Sequence, residues 1–153
     1  MSKAAFSKLV APLTLLLAAG AAANLRAPGP ADEPGTPEHA LASFLTALFE
    51  DDAAVVAELY DTSPSWSGPW RELSADNRLF LAEALEPDLE YSYTPPRTVD
   101  GASSLEELLE PERAIVAAEL ILIVDDEWIS RTYHFLLENR EGDWRVILFD
   151  EAP

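Results

Sequence analysis

The chain contains no cysteine, only two histidines, and no lysine after Lys8. Without thiols there is no disulfide framework, no cysteine nucleophile, no iron–sulfur cluster and no cysteine-based zinc site. An acylated lipoprotein anchor, which needs a cysteine, is excluded as well. The six glycines are scattered, and Gly101 and Gly142 stand alone, so no glycine-rich loop is available to cradle phosphate. Twenty-eight acids against ten bases leave a net charge of −18. That sign opposes the phosphate neutralisation on which nucleic-acid binding rests, so nucleic acid is not expected as a partner. The pairs Asp51-Asp52 and Asp125-Asp126 sit in no calcium-loop pattern, and the histidines show no ligand spacing. No metal and no cofactor is expected.

What remains is a globular composition: 48% hydrophobic and 25% charged over 153 residues, enough for one domain. The long apolar run falls at the start. Lys3 and Lys8 precede an apolar stretch over 9–20 with Leu15-Leu16-Leu17 at its centre, and Ala21-Ala22-Ala23 offers a small-x-small cleavage pattern. Residues 1–23 thus read as a secretory signal, and the chain as exported, periplasmic or extracellular. The competing reading is a tether through an uncleaved segment. The run over 9–23 is shorter than the roughly 20 residues that span a bilayer, so no membrane association is expected after cleavage. Loss of residues 1–23 removes both lysines and leaves eight arginines against 28 acids, a net charge of −20 over residues 24–153. Solubility explains such a charge; a basic partner is the sharper reading.

Residues 24–35 carry Pro28, Pro30, Pro34, Gly29 and Gly35 and read as a linker. The folded domain is expected over 36–153. Thr36 is a good N-cap, Pro37 fits the first helical position, and Leu41, Phe44, Leu45, Leu48 and Phe49 form one stripe. Asp52 can cap a second helix reaching about Tyr60, and Ser74 a third over 75–85. A short strand is expected at Tyr91–Tyr93, halted by Pro95-Pro96, and a helical turn over 104–110.

Residues 114–124, 127–138 and 143–150 read as a three-strand meander with turns at Asp125-Asp126 and at residues 139–142. Pairing Val124 with Glu127 sets Val116 opposite Phe135. Pairing Glu138 with Asp143 sets Phe135 opposite Val146 and Arg131 opposite Asp150. One sheet face then collects Val116, Leu120, Leu122, Ile129, Phe135, Leu137, Trp144, Val146 and Leu148, a core face for the helices. The other collects Ile115, Ile121, Ile123, Trp128, Leu136, Ile147 and Phe149 with Glu119, Thr132, His134 and Arg145. A face so apolar should not stay in water.

Amphipathic helices followed by an antiparallel meander resemble the NTF2-like (cystatin-like α+β) superfamily, especially its small exported bacterial members. Thr36-Pro37-Glu38, the stripe ending Leu48-Phe49-Glu50-Asp51-Asp52, residues 113–124 and 131–137, and Glu141-Gly142-Asp143-Trp144-Arg145-Val146 carry the resemblance. It implies a cone: α+β, with N-terminal helices packed on the concave face of a curved antiparallel sheet and a pocket at the wide end. It also implies frequent homodimers through the outer sheet face. The apolar residues derived for that face, Ile115, Ile121, Ile123, Trp128, Ile147 and Phe149, match that expectation. The fold hosts enzymes, binding modules and docking domains alike, so the resemblance does not decide function.

The chemistry-bearing candidates are few. Trp66, Trp70, Tyr91, Tyr93 and Tyr133 would border a pocket for a hydrophobic small molecule; core and lid packing is the simpler and favoured account of them. Asp150 as base, Arg131 as anchor and Tyr133 in the pocket would serve a small isomerase or hydro-lyase acting on a hydrophobic substrate. Their simpler role is a cross-strand ion pair. His39, in the first helical turn, and His134, mid-strand on the outer face, read as surface or interface residues, and Ser67-Gly68 and Ser103-Ser104 form no nucleophile elbow. The reading favoured by the residues is a non-catalytic small-ligand-binding or protein-interaction module, with the enzyme as alternative. Intact-mass measurement of the chain recovered from the medium or periplasm of an exporting host should show Asn24 as the first residue. Retention of residues 1–23 would replace the soluble exported form by the tethered one.

Overall fold

The computed structural model describes residues 33–85, 90–101 and 103–153. The expected signal and almost all of the linker lie outside the described residues. Among the described residues, three helices precede the sheet: α1 (Pro37–Phe49), α2 (Ala53–Leu59) and α3 (Pro69–Ala84). The strands are β1 (Glu90–Tyr93), β2 (Arg97–Thr98), β3 (Arg113–Val124), β4 (Glu127–Arg140) and β5 (Asp143–Glu151), with one 3₁₀ turn at Glu106–Leu108. The five strands form one curved antiparallel sheet in the order β1-β3-β4-β5, with β2 also pairing β3. The architecture is therefore α+β, as expected for an NTF2-like fold. No helix among the described residues is long and apolar enough to cross a membrane.

The first two helices begin where the capping chemistry places them. Thr36 accepts a hydrogen bond from the His39 amide at 3.2 Å, with Pro37 following it in the first helical position. Asp52 accepts from the Val55 amide at 3.2 Å. The third helix departs from expectation. It starts at Pro69, well before the expected cap Ser74, which is instead a buried residue inside it. Gly68 at φ 57° turns the chain, and Pro69, which has no amide hydrogen, opens the helix.

The first hairpin has the expected register throughout, from Val124↔Glu127 to Val116↔Phe135. Asp125 and Asp126 both adopt positive φ, 50° and 65°. This is the backbone of a tight two-residue hairpin turn, which Asp tolerates better than most residues. The second hairpin corrects the sequence reading. Its turn is two residues long, Glu141 and Gly142 at φ 55° and 94°, so Arg140 pairs with Asp143. A bulge then shifts the register between Leu136 and Leu137. Ile147 and Leu148 consequently both pack on the outer side, and Phe149 turns inward opposite Phe135. The expected inward Leu148 and outward Phe149 exchange places.

Two apolar clusters result. The inner one joins Leu41, Phe44, Leu45 and Leu48 of α1, Val56 and Tyr60, Leu81 and Ala84 of α3, and Val116, Leu120, Phe135, Leu137, Val146 and Phe149. The outer one joins Leu105, Ile115, Leu136, Ile147 and Leu148, with Trp66, Trp70, Leu73, Val99 and Leu108 packed on it. The chain rounds the β5 edge to build both. Tyr60 bridges Val146, and the Asp61 amide donates to the Val146 carbonyl at 2.9 Å, before Trp66 reaches the outer cluster. Helix α3 then starts against the outer cluster with Trp70 and Leu73 and ends against the inner one with Leu81 and Ala84.

Between those two contacts sits Asn77, 3% exposed. Its amide nitrogen donates to the Phe149 carbonyl at 2.7 Å, and its carbonyl accepts from the Phe149 amide at 2.9 Å. The edge-strand peptide is thereby paired without another strand. Asn77→Leu should cost roughly 2–4 kcal/mol, because two buried backbone groups lose their partners while volume is kept. Urea denaturation measures this directly. A loss below about 0.5 kcal/mol, the range of an ordinary surface change, would show that the clamp is not needed.

Candidate functional site

A pocket was expected at the wide end of the cone; on the concave side of the sheet the structure gathers aromatic rings. Phe135 and Phe149 stack at 5.2 Å between ring centres. Phe80 meets Phe149 and Tyr133, each at 5.5 Å. Phe44 contacts Tyr60 and Phe135 at 6.3 and 6.4 Å. Rings at such separations pack edge to face or tilted, and they lie between helices and sheet. Burial pushes the Tyr60 phenol above its ordinary pKa, against Arg78 and Ser74. Burial does the same to Tyr133, with Glu151 and Asp150 adding to it and Arg131 opposing. Both phenols are neutral donors at physiological pH.

The expected catalytic trio does not converge. Because the second hairpin is offset, Asp150 pairs with His134 rather than with Arg131. Arg131 instead bridges Glu151 at 3.2 Å, and both side chains are more than half exposed. Tyr133 belongs to the inner cluster, whereas Asp150 accepts a hydrogen bond from the Ser104 hydroxyl at 2.8 Å on the outer side. Acid and phenol thus lie on opposite faces of the sheet.

The expected ligand-lining aromatics also separate. Trp66 and Trp70 cover the outer cluster, far from a concave pocket, with the Arg113 guanidinium 5.7 Å from the Trp66 ring centre. The Tyr93 hydroxyl lies 2.6 Å from that of Thr46 and donates to the Ala42 carbonyl at 3.3 Å, fastening β1 to α1. Tyr91 pairs through its backbone with Leu122, and its side chain lies outside what is described. An open groove does exist between α1 and α2, lined by His39, Ser43, Thr46, Glu50, Asp52 and Val55.

The expected interface residues divide three ways. Ile115 and Ile147 are covered in the outer cluster, and Phe149 is inside the inner one. Ile121 and Ile123 remain half-buried, and Trp128 is 57% exposed. Besides Trp66, Trp70 and Leu73, the cover comes from a strap whose described residues are 99–101 and 103–108. This strap inserts the fully buried Leu105 among Ile115, Leu136, Ile147 and Leu148. Ser103 Oγ lies 3.1 Å from His134 Nδ1, and Ser104 holds Asp150.

His134 is therefore neither a surface residue nor an exposed interface residue; it is 8% exposed beneath the strap. Burial, then the Arg97 charge, hold its pKa below 6.5, and Asp150 opposes them. Serine and histidine are 31 residues apart, and only the path of the strap brings them together. Its one sequence signal is Leu105, an apolar residue between Ser103-Ser104 and Glu106-Glu107. At the other end of the same face, the Glu138 carboxylate meets both Arg113 at 2.8 Å and Arg140 at 2.9 Å. Burial alone would raise the Glu138 pKa; the two guanidinium groups overcome it and hold the carboxyl low.

No protein-family model matches the chain. No curated protein matches it either. Among solved structures, it is similar to one from Xanthomonas campestris named for the calcium/calmodulin-dependent protein kinase II association domain. That similarity has a TM-score of 0.46 and 21% identity, covering 84% of this chain and 94% of that one.

The His134 environment sets a pH dependence. Its folded pKa lies below the unfolded value of 6.5, so the unfolded chain binds the proton first. The stability tied to the neutral imidazole is complete above pH 6.5 and is lost as pH falls through the folded pKa. Asp61 and Glu138, both held low, act below their ordinary 3.8 and 4.5 and stay out of this window. Denaturant midpoints measured between about pH 7.5 and 5.5 should fall for the wild type and flatten in His134→Gln. Parallel curves would remove His134 as the titrating group.

Proposed function

We propose that the chain is exported and that its folded part is a non-catalytic module that docks another protein on the outer face of its sheet. One contrast supports this reading. Aromatic rings pack against one another on the concave side, while the outer face keeps Trp128 57% exposed beside the half-buried Ile121 and Ile123. Apolar side chains gathered at one end of a face, in a chain otherwise rich in charge, mark a contact surface.

A homodimer was the expected assembly. Of its six expected contacts, Ile121 and Ile123 are half-buried and Trp128 is 57% exposed, and none of the three belongs to either apolar cluster. Three side chains fall well short of the roughly 800 Å² per partner of a standard interface. A second copy docked here alone would be held weakly.

The test places a photo-crosslinking residue at position 128 of the full chain in its exporting host. The control is position 79, where Leu79 is also exposed, at 65%, but on α3. Protein adducts should form at 128 and not at 79, and Ile121→Glu should reduce them by about tenfold or more, since a buried charge at an apolar contact costs over 1.4 kcal/mol. Equal yields at both positions, or adducts indifferent to Ile121→Glu, would dismiss the docking face. An adduct of twice the chain mass would identify the partner as a second copy.

A further inference from the structure

The docking end of the outer face is also where the acids gather. Glu119 shares the outer face of β3 with Ile121 and Ile123, and its carboxylate is held by the Ser130 hydroxyl. The tip beyond carries Asp125, Asp126 and Glu127 in sequence, all exposed. Between residues 119 and 132 the sole base is Arg131, and it is engaged with Glu151 at 3.2 Å. The cations of this face, Arg97, Arg113 and Arg145, lie toward its other end, beside Ala117 and Glu138. The exposed apolar group is thus bordered by negative charge on a chain that is itself strongly negative.

Two arguments then select the occupant. The partly exposed group is too small for a stable pair of globular surfaces but suits a short segment. A second copy would add another net charge of −18 to the first, whereas a cationic segment is drawn to the tip. We infer that the tip of the β3–β4 hairpin takes a short cationic segment of another protein with alternating apolar and basic residues. Its apolar side chains rest on Ile121, Ile123 and Trp128, and its Lys or Arg groups face Asp125, Asp126 and Glu119. This rests on the docking reading above.

The probe is a seven-residue peptide of alternating leucine and lysine, with its leucine–glutamate counterpart, titrated calorimetrically into the full exported chain. The lysine peptide should bind and weaken by about tenfold between low and high salt, as screened charge pairs do. Trp128→Ala should weaken it to a similar degree, roughly the tenfold that 1.4 kcal/mol represents. Asp125→Asn with Asp126→Asn should also weaken it, while keeping residues that accept positive φ, so that the turn survives. Glu58→Gln with Glu83→Gln, on exposed positions of α2 and α3, should leave binding unchanged. Equal losses in the helix variant would reduce the effect to diffuse charge and overturn the inference. So would equal binding of the glutamate peptide, or self-association that the lysine peptide does not compete away. If neither peptide binds while the crosslink at 128 persists and responds to Ile121→Glu, the docking face stands and the cationic partner falls.

Discussion

A sheet that is apolar on both faces has to be covered on both. β3, β4 and β5 set Val116, Leu120, Phe135 and Leu137 on one side and Ile115, Leu136, Ile147 and Leu148 on the other. Three short helices cannot surround such a sheet from a single layer. The chain meets the constraint by passing around the β5 edge, out through residues 60–66 and back along α3. That path leaves the β5 backbone facing a helix where a strand would otherwise pair. Asn77 offers both a donor and an acceptor there, the two functions that Phe149 leaves open. The edge is closed, the two cores are tied through one residue, and the second layer is anchored.

The bulge opposite Leu136 is the other half of this arrangement. One extra residue in β5 sends both Ile147 and Leu148 outward and returns Phe149 inward. Phe149 then meets Phe80, Tyr133 and Phe135, completing the ring cluster on the concave side. On the outer side the doubled aliphatic pair deepens the socket that receives Leu105. The closed interior and the strapped exterior therefore share one local irregularity. Where this device stops, toward the β3–β4 tip, the outer face is left partly exposed.

These causes explain what could be read from the sequence. Capping chemistry located α1 and α2, and alternation located the three long strands, since both signals lie within a few residues of each other. The first hairpin was legible because its two-residue turn leaves a single register. The second was not. Glu141 at positive φ gives no strong turn signal, a four-residue turn fitted the same residues, and a bulge has no signature in alternation. The Arg131–Asp150 pairing and the inward Leu148 were lost with that register. Ser103 and His134 were each visible as residues, but their contact depends on the course of the strap. Trp66 and Trp70 announced burial correctly without saying on which face.

At the exposed tip, charge and apolar surface separate two aspects of association. The field of a chain at −18 extends beyond contact range and steers cationic partners before they touch. It is screened by salt and has no register, so it sets how often an encounter occurs. Ile121, Ile123 and Trp128 act only once water is expelled from them, and they determine how long an encounter lasts. Neutral tip acids would therefore slow association and flatten its salt dependence with little change in residence time. A truncated Trp128 would shorten residence and leave the approach intact. A docking surface of the proposed kind would discriminate partners by two independent criteria, sign of charge and apolar spacing.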